Sequence, residues 1–169
     1  MSKAFKGEDA SEAPLVVPPR APLPPGVENH VTPQGLAALR AERDRLRHER
    51  AVLEAGDDAE GRANSIAART VRLAALDERL ASARVVDPAS QPHDEVRFGA
   101  TVEARSADGS VRRLTIVGVD EADAAAGLIA FVAPLARAFL GLRVGDVARV
   151  RAPRGRGDWE VIAIEYGRR

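Results

Sequence analysis

The sequence predicts an α+β protein in which an N-terminal antiparallel α-helical coiled-coil hairpin precedes a small antiparallel β domain with one short helix. Three observations carry this expectation. Leucines recur at seven-residue intervals in two consecutive runs, and a Gly/Asp-rich break separates those runs. After residue 95 the pattern changes to short apolar stretches divided by glycine turns.

Residues 1–29 hold Pro14, Pro18, Pro19, Pro22, Pro24 and Pro25 among charges such as Lys3, Lys6, Glu8, Asp9 and Glu12. Such a segment has too little apolar surface to offset the entropy of ordering it, so it reads as a disordered or polyproline-like leader. A ligand for a proline-recognition domain is the alternative. The hairpin is expected over residues 30–87. Thr32-Pro33 supplies a hydroxyl cap and a proline at the first helical position. Leu39, Leu46 and Leu53 then mark one heptad track, with Leu36 supporting the first turn. Gly56-Asp57 breaks it, and Ile66, Leu73 and Leu80 mark the second track beside Leu76 and Ala83. Arg43 and Arg50 fall on the expected seam and weaken it.

Residues 88–95 read as a linker and 96–169 as the β domain. Strands are expected at Arg97–Ala104, Val111–Val119, Gly127–Val132, Val147–Val150 and Trp159–Glu165, with a short helix at Pro134–Leu140. Asp108-Gly109 is a hairpin signal, and Pro153, Gly155 and Gly157 mark another turn. Phe98, Phe131, Phe139, Trp159 and Tyr166 are the expected core aromatics.

Composition narrows the function classes. The 25 basic and 25 acidic residues cancel, which argues against wrapping duplex DNA by bulk charge. The absence of cysteine excludes disulfides, thiol catalysis and cysteine metal sites. No apolar run approaches a membrane span, so a cytoplasmic protein without membrane contact is expected. His30, His48 and His93 lack ligand-like spacing. Gly155-Arg156-Gly157 lacks the strand-to-helix context and following Lys-Ser/Thr of a phosphate loop, and reads as a turn.

Several stretches together resemble the GreA/GreB family of transcript cleavage factors. Val96–Val102 resembles its opening strand, Ile116–Asp123 its second strand and loop, and Ala133–Leu140 the stretch at its short helix. Val144-Gly145-Asp146 and the ending Trp159–Tyr166 complete the match, and that ending leans toward the GreB branch. The resemblance implies an FKBP-like fold for the C-terminal domain, which docks at the rim of the RNA polymerase secondary channel. Leu135, Arg137, Leu140 and Asp146 would lie in or near that docking part. The coiled coil enters the channel, and its acidic tip reaches the polymerase's active-site Mg²⁺ to favour hydrolysis of backtracked RNA by the polymerase itself. The partners implied are RNA polymerase and the nascent RNA in its channel, met by a monomer with no metal or cofactor of its own.

Asp57 and Glu60 match the family's tip acids by spacing, with Asp58 an extra acid between them. Carboxylates are hard oxygen donors suited to Mg²⁺. The same residues also fit ordinary capping of the second helix. Gly61 stands where the family has Asn, no Tyr supports the tip, and each arm is shorter than usual by roughly one heptad. That removes on the order of 10 Å of reach at ~1.5 Å per residue. A non-cleaving, channel-occupying relative of the short-armed Rnk type is therefore the second reading. Arg43, Arg47 and Arg50 form the basic stretch that the resemblance places near extruded RNA, and a solvated face of mixed ion pairs is the alternative. Prolyl isomerase activity is not expected from fold analogy alone.

Overall fold

The computed structural model of the protein describes residues 17–18, 20–56, 61–152 and 155–167. Strand β1 (Asn29–Val31) leads into helix α1 (Pro33–Ala55), and helix α2 (Arg62–Ala81) returns to β2 (Ala83–Val85). The first helix starts as its sequence dictates. Thr32 is extended, its hydroxyl accepts the Gly35 N–H at 2.9 Å, and Pro33 sits in the first turn where no amide donor is needed. Leu39 and Leu46 of α1 meet Leu73 and Leu76 of α2, and Val31 closes this core at its base. Leu53 and Ile66, nearer the free end, are only half-buried. Arg43 and Arg50 are half-buried on the seam, as their heptad positions require. Apolar packing is thus concentrated in the half of the hairpin nearest the β domain.

Two short strands were not anticipated. β1 and β2 pair in parallel, with Asn29 opposite Ala83 and Val31 opposite Val85. The buried Asn29 amide donates to Arg79 O at 2.8 Å, tying β1 to the end of α2. Residues 20–28, expected to belong to a disordered or polyproline-like leader, contact the hairpin, where Arg20 reaches Glu42 at 2.6 Å and Ala21 O accepts from Arg79.

The second layer is a five-stranded sheet of β3 (Thr101–Ser106), β4 (Val111–Val117), β5 (Leu128–Ala130), β6 (Val147–Ala152) and β7 (Gly155–Glu165). Its order is β5-β4-β3-β7-β6. The expectation of an antiparallel domain holds for three ladders, but β4 and β5 run parallel, so the sheet is mixed. Asp123, Ala124 and Gly127 turn the chain so that β5 can return alongside β4, Leu128 N–H donating to Asp123 O at 2.8 Å.

The first strand begins at Thr101, later than the expected Arg97. Gly99 takes a left-handed φ of 86°, and the Ala100 N–H donates back to Arg97 O at 3.1 Å, so 97–100 is a turn. Buried Pro88 explains the glycine: a Cβ on Gly99 would stand 2.7 Å from Pro88 Cγ. The 88–95 stretch therefore includes a short 3-10 helix, Pro88–Ser90, that packs on the domain. At the other end, Gly155 and Gly157 lie in β7 instead of the expected turn, Gly157 pairing with Val150. A Cβ at Gly157 would meet Trp159 Nε1 at 3.0 Å. Helix α3 (Pro134–Phe139) covers the sheet, burying Ala136 and Phe139 against Val102, Ile116 and Val161. This core is separate from that of the hairpin. Phe139 alone among the expected aromatics is fully buried there, while Phe131, Trp159 and Tyr166 border it.

Candidate functional site

The joint between hairpin and sheet domain is held by several hydrogen bonds and ion pairs, and sequence reading did not find it. After β4, a single 3-10 turn (Val119–Glu121) carries two adjacent carboxylates toward the hairpin. Glu121 accepts hydrogen bonds from Thr32 N–H at 3.1 Å, from the Thr32 hydroxyl, and from Gly118 N–H at 3.2 Å. It thereby satisfies donors at the start of α1, where helical amides lack intrahelical partners and a negative charge is favoured. Gly35 makes this approach possible, because a Cβ there would stand 2.2 Å from Glu121 Cδ.

Asp120, with its carboxylate 5% exposed, lies 2.7 Å from Arg20 Nη1 and 3.3 Å from Arg79 Nη1. Arg20 also bonds Glu42 at 2.6 Å. Burial opposes the Arg20 charge, but its hydrogen bonds to Glu42 and Asp120 outweigh that and raise its pKa. Beside these charges, His30 of β1 packs edge-on against Phe98 at 5.7 Å and against Phe131 at 5.5 Å. Charge, helix capping and aromatic packing join the arm to the domain. The individual residues were visible in the sequence, but their partners stand up to 100 positions away.

Other positions singled out by sequence lie as follows. Asp57, Asp58 and Glu60 fall outside the described residues; their neighbours Gly56 and Gly61 end α1 and begin α2. Leu135 and Leu140 lie at either end of α3, half-buried and packed against the domain core. Arg137 faces solvent from the same helix. Asp146 is exposed in the following turn, its carboxylate accepting the Arg143 N–H at 2.8 Å. The structure thus places Leu135 and Arg137 on α3 and Leu140 at its C-terminal cap, while Asp146 has a local turn-closing task. On the arm, Arg43 pairs with Asp44 at 3.4 Å, Arg47 with Asp77 at 3.7 Å and Arg50 with Glu54 at 3.3 Å. These arginines lie in a mixed-charge face with their nearest acids engaged.

An arm of two antiparallel helices fixed on a small α+β domain defines a two-part protein in which Gly56 and Gly61 mark the arm's far end. A family model described as "Transcription elongation factor, GreA/GreB, C-term" matches residues 91–166. The transcription elongation factor GreA of Nitratidesulfovibrio vulgaris is 37% identical over 150 residues, covering 80% of this chain and 94% of that protein. GreA of Acidiphilium cryptum is 41% identical over 98 residues, covering 57% of this chain and 62% of its own. A solved GreA/GreB structure from Nitrosomonas europaea shares 24% identity over 83% of this chain and 99% of that one, with a TM-score of 0.41. The chain belongs to the GreA/GreB family of transcription elongation factors.

Proposed function

We propose that this protein binds RNA polymerase at its secondary channel and promotes cleavage of backtracked RNA, with the sheet domain at the rim and the arm entering. The observation that carries this reading is the arm's mounting. The 23 residues of α1 extend about 34 Å at ~1.5 Å per residue, from a base fixed by Asp120 and Glu121. Residues 57–60 are thereby the part of the chain between the far ends of both helices. In this reading Asp57 and Glu60, with Asp58 beside them, offer carboxylate oxygens to a Mg²⁺ held by the polymerase. The hydrolysis is the polymerase's own reaction, and this chain contributes ligands and position. Leu135, Arg137, Leu140 and Asp146 contribute to docking. Arg43, Arg47 and Arg50 would hold extruded RNA by charge once it displaces their present acidic neighbours.

The length of the arm favours a second reading, a channel-occupying regulator that does not cleave. Since 80% of the 169 residues is about 135, about 15 of the 150 positions aligned with the Nitratidesulfovibrio protein have no counterpart here. Divided between the two helices, such a loss would equal roughly one heptad from each, or on the order of 10 Å of reach. Backtracked elongation complexes with labelled RNA separate the two readings. Shortening of the RNA by the wild type, and not by Asp57→Ala/Glu60→Ala, supports cleavage. Absence of shortening, with both proteins blocking cleavage by an authentic Gre factor, supports the competitor. If neither cleaves nor competes, polymerase binding itself is refuted.

A further inference from the structure

Among the described residues, the part of the Pro-rich segment that precedes β1, residues 20–28, is joined to the rest of the molecule at a small number of points. A turn closes at Pro24–Val27, where Gly26 has a φ of 76° and Val27 N–H donates to Pro24 O at 3.2 Å. Proline and glycine at its two centre positions fit a type II turn. Ahead of this turn the chain crosses the hairpin, but it does not pack on it continuously. A cleft of about 890 Å³ separates it from the arm, lined by Leu23, Leu46, Val71 and Arg72 among others. What holds the segment is polar. Arg20 bridges Glu42 of α1 and Asp120 of the sheet domain, and Arg79 of α2 donates to Ala21 O.

The hydrogen bonding of Asp120 makes this contact decisive. Arg79 Nη1 lies near enough to Asp120 Oδ2 for charge attraction, yet neither atom has a hydrogen-bond partner. The one hydrogen bond to the Asp120 carboxylate among the described residues comes from Arg20. A carboxylate 5% exposed needs such a donor, because burying a charge without hydrogen bonds is strongly unfavourable. Without Arg20, the least costly response is for Asp120 to move toward water, which opens the joint on its charged side.

We propose that Arg20 is a positioning residue: residues 20–28 act as a strap, and the Arg20 guanidinium sets the angle at which the arm leaves the sheet domain. The proposal gives this segment a part in the function proposed above, since arm and domain must meet the polymerase at once. The chain has no cysteine, so Val52→Cys/Val144→Cys allows specific spin labelling at two exposed sites, one on the arm and one on the domain. Pulsed electron–electron distances on the free full-length protein should give one narrow distribution. Arg20→Gln should broaden it at least twofold, and Arg20→Lys, which keeps the charge, should restore most of the narrowness. Glu42→Gln, which removes the second anchor of Arg20 but leaves Asp120 intact, should broaden it less and provides a milder variant should Arg20→Gln fail to fold. Unchanged distributions in Arg20→Gln, or in Glu42→Gln where that variant must serve, overturn the strap. The distances are read without polymerase, so they decide the strap even if the proposed function fails. Polymerase affinity of the same variants then tests the function: at least a tenfold loss in Arg20→Gln supports the joint requirement, and unchanged affinity beside a broadened distribution counts against that requirement alone.

Discussion

Gly35 sits in the first turn of a helix, where propensity alone would favour alanine by about 1 kcal/mol. The structure reverses that sign. An alanine Cβ would fall on the Glu121 carboxylate, which is tied to Thr32 and Gly118 and is not free to swing away. Gly35→Ala is therefore expected to destabilise the protein by about 1–3 kcal/mol in denaturant unfolding, the range for disturbing hydrogen bonds to a charged group. In a Glu121→Ala background the same substitution should become neutral or stabilising, a coupling that a double-mutant cycle reads directly. Tyr166 offers a test by pH. Its hydroxyl donates to Glu95 O at 2.6 Å and accepts Arg97 N–H at 2.8 Å. Burial raises its pKa above the ordinary 10.0, against a lowering by the Arg97 hydrogen bond. The folded state then resists ionisation more than the unfolded chain, so this contribution is complete below pH 10 and declines as pH rises above it. Tyr166→Phe should lose about 1 kcal/mol at neutral pH and weaken the alkaline decline, as urea unfolding at pH 7–11 will show.

At the scale of elements, periodicity was the readable signal. Leu39, Leu46, Leu73 and Leu76 announced the hairpin because a heptad pattern is a property of one short stretch. β1 and β2 were not readable: each has three residues, too few for alternation, and their pairing depends on the hairpin bringing their ends together. The parallel course of β5 escaped for a similar reason, since Leu128–Ala130 carries no mark of direction. Gly99 and Gly157 were read as strand and turn respectively, and the reverse holds because Pro88 and Trp159, invisible as neighbours in the sequence, occupy the space beside them. The seam itself yields a prediction. Arg50 Nε is buried without a hydrogen bond, although it lies 3.3 Å from Glu54 Oε1, and Leu53 one turn further is half-buried. Arg50→Leu should extend the apolar seam and stabilise the arm by up to about 1 kcal/mol. Leu76→Ala, at a fully buried position, should cost about 2–5 kcal/mol. Circular dichroism melts at the helical band distinguish the two.

On the scale of the whole molecule, two separate cores are coupled through a few polar residues and the packing of His30 on Phe98 and Phe131. The division into arm and sheet domain was legible because its two halves differ in period. The joint was not, because Arg20, Thr32, Arg79, Asp120 and Glu121 are scattered across the chain and only folding assembles them. A zero net charge suits a protein whose recognition is geometric, with an arm presented at a set angle, better than one that adheres by bulk charge. Directed radical cleavage tests this geometry on the polymerase. A chelated iron would be attached in turn to Val52→Cys near the far end of the arm and to Val144→Cys on the domain, two exposed positions in a chain otherwise free of cysteine. With the protein bound to polymerase, the Val52 probe should cut polymerase segments deep in the secondary channel and the Val144 probe segments at its outer rim. Cuts from both probes on one outer surface, or none above the unattached reagent, would refute entry of the arm into the channel.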